Sequence, residues 1–553
     1  MFLISQGVSL DSARTQGRTG LDSFVGAVKL GDEEYRLLSR LIECGGVMTI
    51  DAASQSRISK ENMRRVLREN EEVVIIPDVA KCIIEESEEG LLHVLRSGRA
   101  SANDVIGKTT LLKLAIGWSK GVQILLVAGS DVDDCSHISP LTLAIRGGYY
   151  ESAKILLQAG CPLSLVDISQ SESASGWNET TSLLISELAS RRRRLLKLAQ
   201  AYLSQETLAR IGVDNDSSVP DMTASRIYET LVAQDARIDS ALQVSGPPRS
   251  VYHHLYLRTR TLDELYEAGF DNVELLDPSG RTPLMVMDKW SGLRRITQER
   301  ARWLISKGAD PFRQVPGTNA TVLHLMGIYS AECLHPELVH SFLLNFQSFK
   351  SQNPLEFLKF MFQASEQDNC ICACSPGRCT PFSAALRHLL QHPPRYYQMN
   401  GPNRFPELLH FVIRQSERSL EVDQVVIRLM TFDALDLRHT CCRKGDGLHD
   451  DSIVCVEETE VEEIRDEEHL LLEDYERLLA ELSADFEKSG LLIMEFLQGH
   501  WYQRMVEFLS RLDPYDEEYA RGHRSLGLKV EIRESIPDRV SLLVGSKVKE
   551  TLH

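Results

Sequence analysis

Three evenly spaced glycines constrain the fold of this chain more than any other feature. Gly98, Gly129 and Gly160 recur at one constant interval, and each follows an apolar run of helical type. A glycine directly after the last apolar turn suits the left-handed position that ends a helix. Sequence periods of about 20–50 residues are typical of architectures in which each unit stacks on its neighbours. The sequence therefore predicts a solenoid of helical units.

The segments upstream of these glycines identify the unit. Ser139-Pro140-Leu141-Thr142 places a hydroxyl residue before a proline, which suits a helix N-cap followed by proline at the first helical position. Together with the Leu-Leu-Gln-Ala-Gly that ends at Gly160, this opener resembles the ankyrin repeat, whose unit of about 33 residues begins Thr-Pro-Leu-His. Similar patterns cover further segments, namely residues 3–7, 17–45, 107–129, 265–269, 280–311 and 321–345.

The resemblance implies a fold class and a general function. An ankyrin-repeat protein is all-α, and we expect a solenoid of two arrays followed by a helical C-terminal region. Stacked repeats leave an elongated concave face, which binds a protein partner and carries no catalytic chemistry of its own. The sequence shows no recognised hydrolase, zinc-protease or kinase signature. We therefore expect a non-enzymatic chain with no catalytic or cofactor-binding residues.

Changes in pattern along the chain divide it into segments. Polar stretches rich in Ser, Gly and Pro separate the two sets of repeats, and the repeat pattern stops after Asn345. The expected segments are an N-terminal ankyrin array (1–167), a helical connector and linker (168–250), a second ankyrin array (251–345), a Cys-rich helical extension (346–455), an acidic helical hairpin (456–513) and a C-terminal tail (514–553).

Four consecutive arginines lie in the connector. Arg191, Arg192, Arg193 and Arg194 fall within a pattern of helical periodicity that places Leu184, Leu188 and Leu195 on one face. A cluster of this kind is a candidate nuclear import signal. The alternative is the solvated face of a helix, which often carries several basic residues.

A cysteine-rich segment is the strongest candidate for a metal site. Cys370, Cys372, Cys374 and Cys379 could supply four thiolates to a tetrahedral zinc ion. The spacing C-x-C-x-C-x4-C differs from that of a zinc ribbon, and alternate residues of an extended strand point to opposite faces. All four could therefore meet only in a tightly turned loop. His439, Cys441 and Cys442 are possible additional ligands. The alternative is that these cysteines are small buried apolar residues.

The C-terminal region extends the resemblance. Residues 456–488 contain fourteen Asp or Glu and three Lys or Arg, and their apolar residues keep helical spacing. The Cys-rich segment, residues 438–442, this acidic helix and the sequence Gly499-His500-Trp501-Tyr502 are together similar to a family of filamentous-fungal ankyrin proteins. Such proteins are sometimes found beside secondary-metabolite gene clusters, including mycotoxin clusters. The resemblance implies an accessory or regulatory role and transfers no activity.

Composition excludes several other classes. The net charge of −18 makes non-specific binding of nucleic acid unfavourable, because contact with phosphates needs a positive surface. No apolar stretch approaches the roughly 18 residues of a spanning helix, and the N-terminus lacks the features of a signal peptide. Twelve cysteines in 553 residues do not form a disulfide scaffold. We expect a cytoplasmic or nuclear protein with no membrane partner, and the oligomeric state remains open.

Two hypotheses about function follow. The first is a protein-protein interaction scaffold that binds its partner on the concave ankyrin face. The second is a nuclear transcriptional co-regulator, which would use Arg191 to Arg194 for import and the acidic helix to recruit partners. Neither hypothesis requires a cofactor, although zinc could bind at the Cys-rich segment.

Overall fold

The structure is a computed structural model whose contacts divide the chain into two units, Met1–Asn272 and Val273–His553. Each unit is described by itself. The residues described are 36, 37, 40, 64 and 77–512, apart from gaps at 107–108, 134–137, 176–177, 214–218, 245–248, 255–256, 287–293, 319, 333–358, 369, 376–377, 393–404, 416–418, 442, 445–452 and 455. The repeat-like segments expected at residues 3–7 and 17–45, and the C-terminal tail at 514–553, therefore lie outside the described residues.

The first unit is built from short helices in consecutive pairs, and the described residues include one small hairpin. Its helices are α1 (Asp78–Ile84), α2 (Glu88–Arg96), α3 (Leu111–Ala115), α4 (Ser119–Val127), α5 (Pro140–Arg146), α6 (Tyr150–Gln158), α7 (Leu165–Ser175), α8 (Glu179–Tyr202), α9 (Gln205–Arg210), α10 (Thr223–Ala233) and α11 (Thr259–Glu267). Strands β1 (Val105–Ile106) and β2 (Thr109–Thr110) pair antiparallel between the first two helix pairs.

The helix pairs stack in sequence order. The first helices of successive pairs contact one another, α1 with α3, α3 with α5 and α5 with α7. The second helices do the same, α2 with α4, α4 with α6 and α6 with α8. The buried side chains lie between the stacked helices and include Leu91, Leu114 and Leu125. Each pair therefore buries its apolar face against the neighbouring pairs.

Local sequence signals set the ends of these helices. The side chains of Ser87, Thr110 and Ser139 each accept a hydrogen bond from a backbone N–H in the first turn of α2, α3 and α5. The evenly spaced glycines, Gly98, Gly129 and Gly160, have φ angles of +69°, +90° and +89°. The structure thus confirms the expected left-handed position after each second helix.

Helix α8 contains the four arginines, and the structure places them differently. The Arg191 side chain is buried and donates to the carbonyl oxygens of Cys161 (2.7 Å), Ala241 (3.1 Å) and Leu157 (3.0 Å). It also pairs with Glu187 at 2.7 Å. Arg191 therefore caps the C-terminal end of α6, where backbone carbonyl groups lack hydrogen-bond partners within the helix.

The three remaining arginines are less buried than Arg191. Arg192 is half-buried, whereas Arg193 and Arg194 are exposed. Arg193 donates to the carbonyl oxygen of Ala268, and Arg194 pairs with Asp239 at 3.1 Å. A receptor could reach the guanidinium groups of Arg193 and Arg194 without unfolding α8, but it could not reach Arg191. The structure thus gives Arg191 a role in packing, and nuclear import stays a prediction.

We expect Arg191→Met to lower the free energy of unfolding of the first unit by about 3–5 kcal/mol, because it leaves buried carbonyl groups and Glu187 without their charged partner. The matched control is Arg194→Met, which breaks an ion pair that is half-exposed on both sides. Such pairs contribute about 1 kcal/mol or less. Denaturant titration of both variants measures the difference, and equal losses would contradict the packing role of Arg191.

A second prediction concerns pH. Burial raises the pKa of Asp221 to about 6, although Ser250, Arg192 and the Val251 N–H partly oppose this. A carboxyl group whose folded pKa is raised adds stability at low pH, and this contribution is lost as the pH rises through about 6. Wild type should therefore gain about 2 to 3 kcal/mol relative to Asp221→Asn between pH 7 and pH 4. Urea titrations across this range measure the change, and a pH-independent difference would contradict it.

The second unit is also mostly helical. Its helices are α12 (Arg294–Ser306), α13 (Val322–Glu332), α14 (Pro381–Gln391), α15 (Phe405–Gln415), α16 (Leu420–Ala434), α17 (Glu458–Ser489), α18 (Ile493–Phe496) and α19 (Tyr502–Leu512). A π-helical segment, Leu497–Trp501, joins the last two. Strands β3 (Arg443–Lys444) and β4 (Ile453–Val454) pair antiparallel. The mostly helical content agrees with the all-α expectation, although each unit contains a short hairpin.

Close packing joins α13 to α14 and α16 to α17. A Cβ atom at Gly327 would lie 2.7 Å from the carbonyl oxygen of Pro381, so this crossing requires glycine. Tyr475 of α17 is fully buried against Phe432 of α16. The Trp501 ring is also fully buried, and its Nε1 donates to Thr431 Oγ1 at 2.9 Å. These contacts form the framework on which the Cys-rich segment lies.

The segment expected to form the acidic helical hairpin, residues 456–513, contains helices α17, α18 and α19. On α17, Ile464, Tyr475, Leu478 and Leu482 are buried on one face, while most of the acidic side chains are exposed. Among the residues that the structure describes, no helix combines the length and apolar character needed to cross a lipid bilayer.

Candidate metal centre

Two segments of the second unit meet beside α16 and α17. The first is the loop that precedes α14, residues 366–380, and the second is the short segment after α16, residues 437–441. Thr440 Oγ1 donates to the carbonyl oxygen of Ile371 at 2.9 Å and so joins the two segments. Residues that are far apart in sequence thereby come into contact.

Asp368 organises the loop. Its Oδ1 atom accepts hydrogen bonds from the backbone N–H of Cys370 (3.0 Å) and of Cys379 (2.9 Å). Its own N–H donates to the carbonyl oxygen of Cys379 at 2.9 Å. Between these cysteines a turn closes at Ser375 and Arg378, and Arg378 has a φ of +75°. This tight turn brings the two ends of the Cys-rich loop together, as the spacing of the cysteines requires.

Six potential ligand atoms gather where the two segments meet. They fall into two groups that share Cys441, and within each group all the ligand atoms lie within 4.8 Å of one another. The first group is Cys372, Cys374, His439 and Cys441, and the second is Cys370, Cys379 and Cys441.

The distances between the sulfur atoms exclude a disulfide and approach those of metal coordination. Cys441 Sγ lies 3.3 Å from Cys374 Sγ and 3.5 Å from Cys379 Sγ. A disulfide requires about 2.0 Å between sulfur atoms, and Cys370, Cys372, Cys374, Cys379 and Cys441 are all free thiols. Tetrahedral zinc with bonds of about 2.3 Å separates its sulfur ligands by about 3.8 Å. The sulfur atoms are therefore close to the spacing that a zinc ion needs.

The burial and the number of the potential ligands are typical of a structural metal site. All five cysteines are buried, and only His439 is partly exposed. A structural zinc site is closed by four protein ligands, whereas a catalytic site keeps a position open for water or substrate. The first group already provides four protein ligands, three sulfur atoms and one imidazole nitrogen. His439 Nδ1 lies 3.9 Å from Cys372 Sγ and 4.0 Å from Cys441 Sγ.

The crowded thiols influence one another electrostatically. Hydrogen bonds from Cys374 and Cys441 hold the pKa of Cys372 well below its ordinary value, and those from Cys370, Cys374 and Cys441 do the same for Cys379. The pKa of Cys441 is raised well above the ordinary value, chiefly because its thiol donates to these neighbours. The apo cluster therefore shares its protons unevenly, and a cation would replace those protons on binding.

Arginine side chains support the cluster from the surrounding helices. Arg428 of α16 donates to the carbonyl oxygen of Ala373 through Nε (3.0 Å) and Nη2 (2.6 Å), and it pairs with Glu476 of α17. Arg387 of α14 is buried. Burial lowers the Arg387 pKa, but the nearby cysteine sulfurs outweigh this effect and raise it overall. The loop is thus fixed to α16, α17 and α14 by charged hydrogen bonds and by electrostatic attraction.

The structure distributes the predicted ligands differently from a single four-cysteine site. Cys372 and Cys374 belong to one group, and Cys370 and Cys379 to the other. His439 and Cys441, proposed from sequence as additional ligands, lie inside the cluster, while Cys442 lies outside the described residues. Sequence reasoning missed Asp368, although an acidic residue just before the first cysteine was a visible signal.

Comparison with known proteins gives no independent identification. No protein-family model matches this chain, and no curated protein sequence matches it.

Proposed function

We propose that this chain is a non-enzymatic scaffold of the ankyrin-repeat type, with two arrays, that binds a protein partner in a fungal cell. The observation that carries this proposal is the stacking of successive helix pairs in the first unit. Glycines in the left-handed backbone conformation follow these pairs at a constant interval. This arrangement matches what the ankyrin resemblance implies. Helices α12 and α13 fall within the segments assigned to the second array.

The proposed role of the metal centre is structural. A zinc ion held by Cys372, Cys374, His439 and Cys441 would join the loop before α14 to the segment after α16. Such an ion contributes directly to folding energy and supplies no reaction. The second unit would then present a fixed surface of helices, as a scaffold requires.

The hairpin of the first unit offers a position at which to test partner binding. In an ankyrin-type stack the hairpins and the first helices of each pair line the concave face. Val105, in strand β1, is 64% exposed, and an apolar side chain this exposed is available for contact with a protein partner. Val127 is 85% exposed at the end of α4, a second helix, and provides a matched control.

The experiment compares proteins captured by the tagged full chain with those captured by Val105→Lys and by Val127→Lys. We expect Val105→Lys to lose a specific partner that wild type and Val127→Lys both retain. Both substitutions are at exposed positions, so their effects on stability should be small. Retention of every partner by Val105→Lys would contradict binding through the hairpin side of the stack.

An accessory role in secondary metabolism, including mycotoxin synthesis, is the setting that the fungal resemblance suggests. Co-expression of the gene with a biosynthetic cluster, together with altered product levels after its deletion, would support that setting. Unchanged products after deletion would oppose it.

A further inference from the structure

A single tetrahedral ion would use only part of the thiol cluster. The first group supplies four ligands, which is the number that a structural zinc ion takes. Cys370 and Cys379 remain, and they are 8% and 1% exposed. Their thiols also lie beside Cys441, with Cys379 Sγ at 3.5 Å from Cys441 Sγ. Two more thiols thus lie beside a sulfur atom that the first ion would already use.

The second group resembles a metal site that lacks one ligand. Cys370, Cys379 and Cys441 supply three sulfur atoms within 4.8 Å of one another. Asp368 is 3% exposed, and its Oδ2 lies 2.8 Å from Cys370 Sγ. Its Oδ1 is already used by two backbone N–H groups, so the carboxylate is held with Oδ2 toward the thiols. A carboxylate oxygen is an accepted zinc ligand.

The charges of the surrounding residues suit a second cation. With five thiolates and the Asp368 carboxylate, the cluster would carry six negative charges in a buried environment, where charges must be paired. Two divalent ions would balance four of these charges. The buried guanidinium of Arg387, which interacts electrostatically with Cys441, Cys379, Cys374 and Cys370, would offset a fifth.

We propose that the cluster binds two zinc ions, with the Cys441 thiolate as a bridge between them. The first ion is held by Cys372, Cys374, His439 and Cys441, and the second by Cys370, Cys379, Cys441 and Asp368. A thiolate can bridge because its sulfur keeps lone pairs after it binds one cation, and zinc accepts both sulfur and oxygen ligands. This inference rests on the proposed metal centre and adds a second site to it.

The test is the number of zinc ions per chain, measured on the purified full chain by native mass spectrometry and by elemental analysis. We expect two ions in wild type. Cys379→Ser and Cys370→Ser should each retain one ion. Asp368→Asn should lower the affinity for the second ion at least tenfold. Asn keeps an oxygen that accepts the two backbone N–H groups, so this variant preserves the loop while removing the anionic ligand.

The outcomes separate the two proposals. Two ions in wild type and one in Cys379→Ser would support the bridged centre. One ion in wild type that survives in both Cys370→Ser and Cys379→Ser would overturn the second site and leave the first intact. No bound zinc in wild type would overturn both. The wild-type count needs no variant, so misfolding of a substituted chain cannot decide the result.

Discussion

Replacing Cys441 by Ser is expected to remove most of the bound metal and to lower the free energy of unfolding of the second unit by roughly 5 kcal/mol or more. Cys441 is the ligand that both groups share, and its Sγ lies within 3.5 Å of both Cys374 Sγ and Cys379 Sγ. Structural zinc sites contribute about 10–16 kcal/mol in small zinc-binding domains, and a whole domain is stable by only about 5–15 kcal/mol. Loss of this ligand should therefore remove most of the free energy that keeps the second unit folded.

The matched control is Cys161→Ser. Cys161 is also fully buried, but it lies in the first unit. Its thiol donates a hydrogen bond to the carbonyl oxygen of Val132 at 3.4 Å. Metal content and denaturant titration are measured on both variants. We expect Cys161→Ser to keep the full metal content and Cys441→Ser to lose it. Full metal content in Cys441→Ser would show that the thiol cluster is not the metal site.

The second large effect is expected on removal of metal by a chelator. Without a cation, the buried sulfur atoms again compete for protons, and the loop before α14 loses its metal-mediated connection to residues 437–441. Hydrogen exchange should then accelerate in α14, in α16 and in the part of α17 that contains Tyr475. The expected acceleration is at least a hundredfold, because that factor corresponds to about 2.7 kcal/mol, less than a third of the roughly 10–16 kcal/mol that a structural zinc site contributes.

Helices α1 to α8 provide the internal reference for the same experiment. None of the ligands in either group lies in these helices, so exchange there should be unchanged by the chelator. Restored protection in α14 and α16 after zinc is added back would distinguish metal loss from irreversible damage. If exchange in α14 and α16 is the same with and without chelator, the metal does not organise this unit.

Much of the first unit could be predicted because its signals are local. A hydroxyl residue at the N-cap, proline at the first helical position of α5 and glycine after each second helix act within a few residues, and the structure confirms them at Ser139, Pro140 and Gly160. The acidic helix α17 was equally accessible, since its apolar residues keep a period that only a helix places on one face.

The roles of the arginines could not be predicted because they depend on distant parts of the chain. Arg191 and Arg194 are close together and look alike in sequence. One of them reaches the buried carbonyl groups at the end of α6, and the other pairs with Asp239 at the surface. Only the packing of α8 on its neighbours separates a structural arginine from a solvated one.

The metal centre was predictable in part. The cysteine residue types and the turn at Ser375 indicate thiolate ligands, but sequence alone favours one site made by the four cysteines that are closest together. In the structure, His439 and Cys441 of a distant segment lie among the loop cysteines, and the loop cysteines belong to two different groups. Which thiols lie in the same group depends on how α16 packs against α17, and sequence spacing does not encode that packing.

X-ray absorption at the zinc edge, on full chain purified under reducing conditions without chelator, tests the central claim most directly. That claim is that a buried cluster of thiolates and one imidazole holds the metal that organises the second unit. The account predicts a first shell dominated by sulfur at about 2.3 Å, with a minority of nitrogen or oxygen at about 2.0–2.2 Å. A shell of nitrogen and oxygen alone, or a chain that contains no metal, would contradict it.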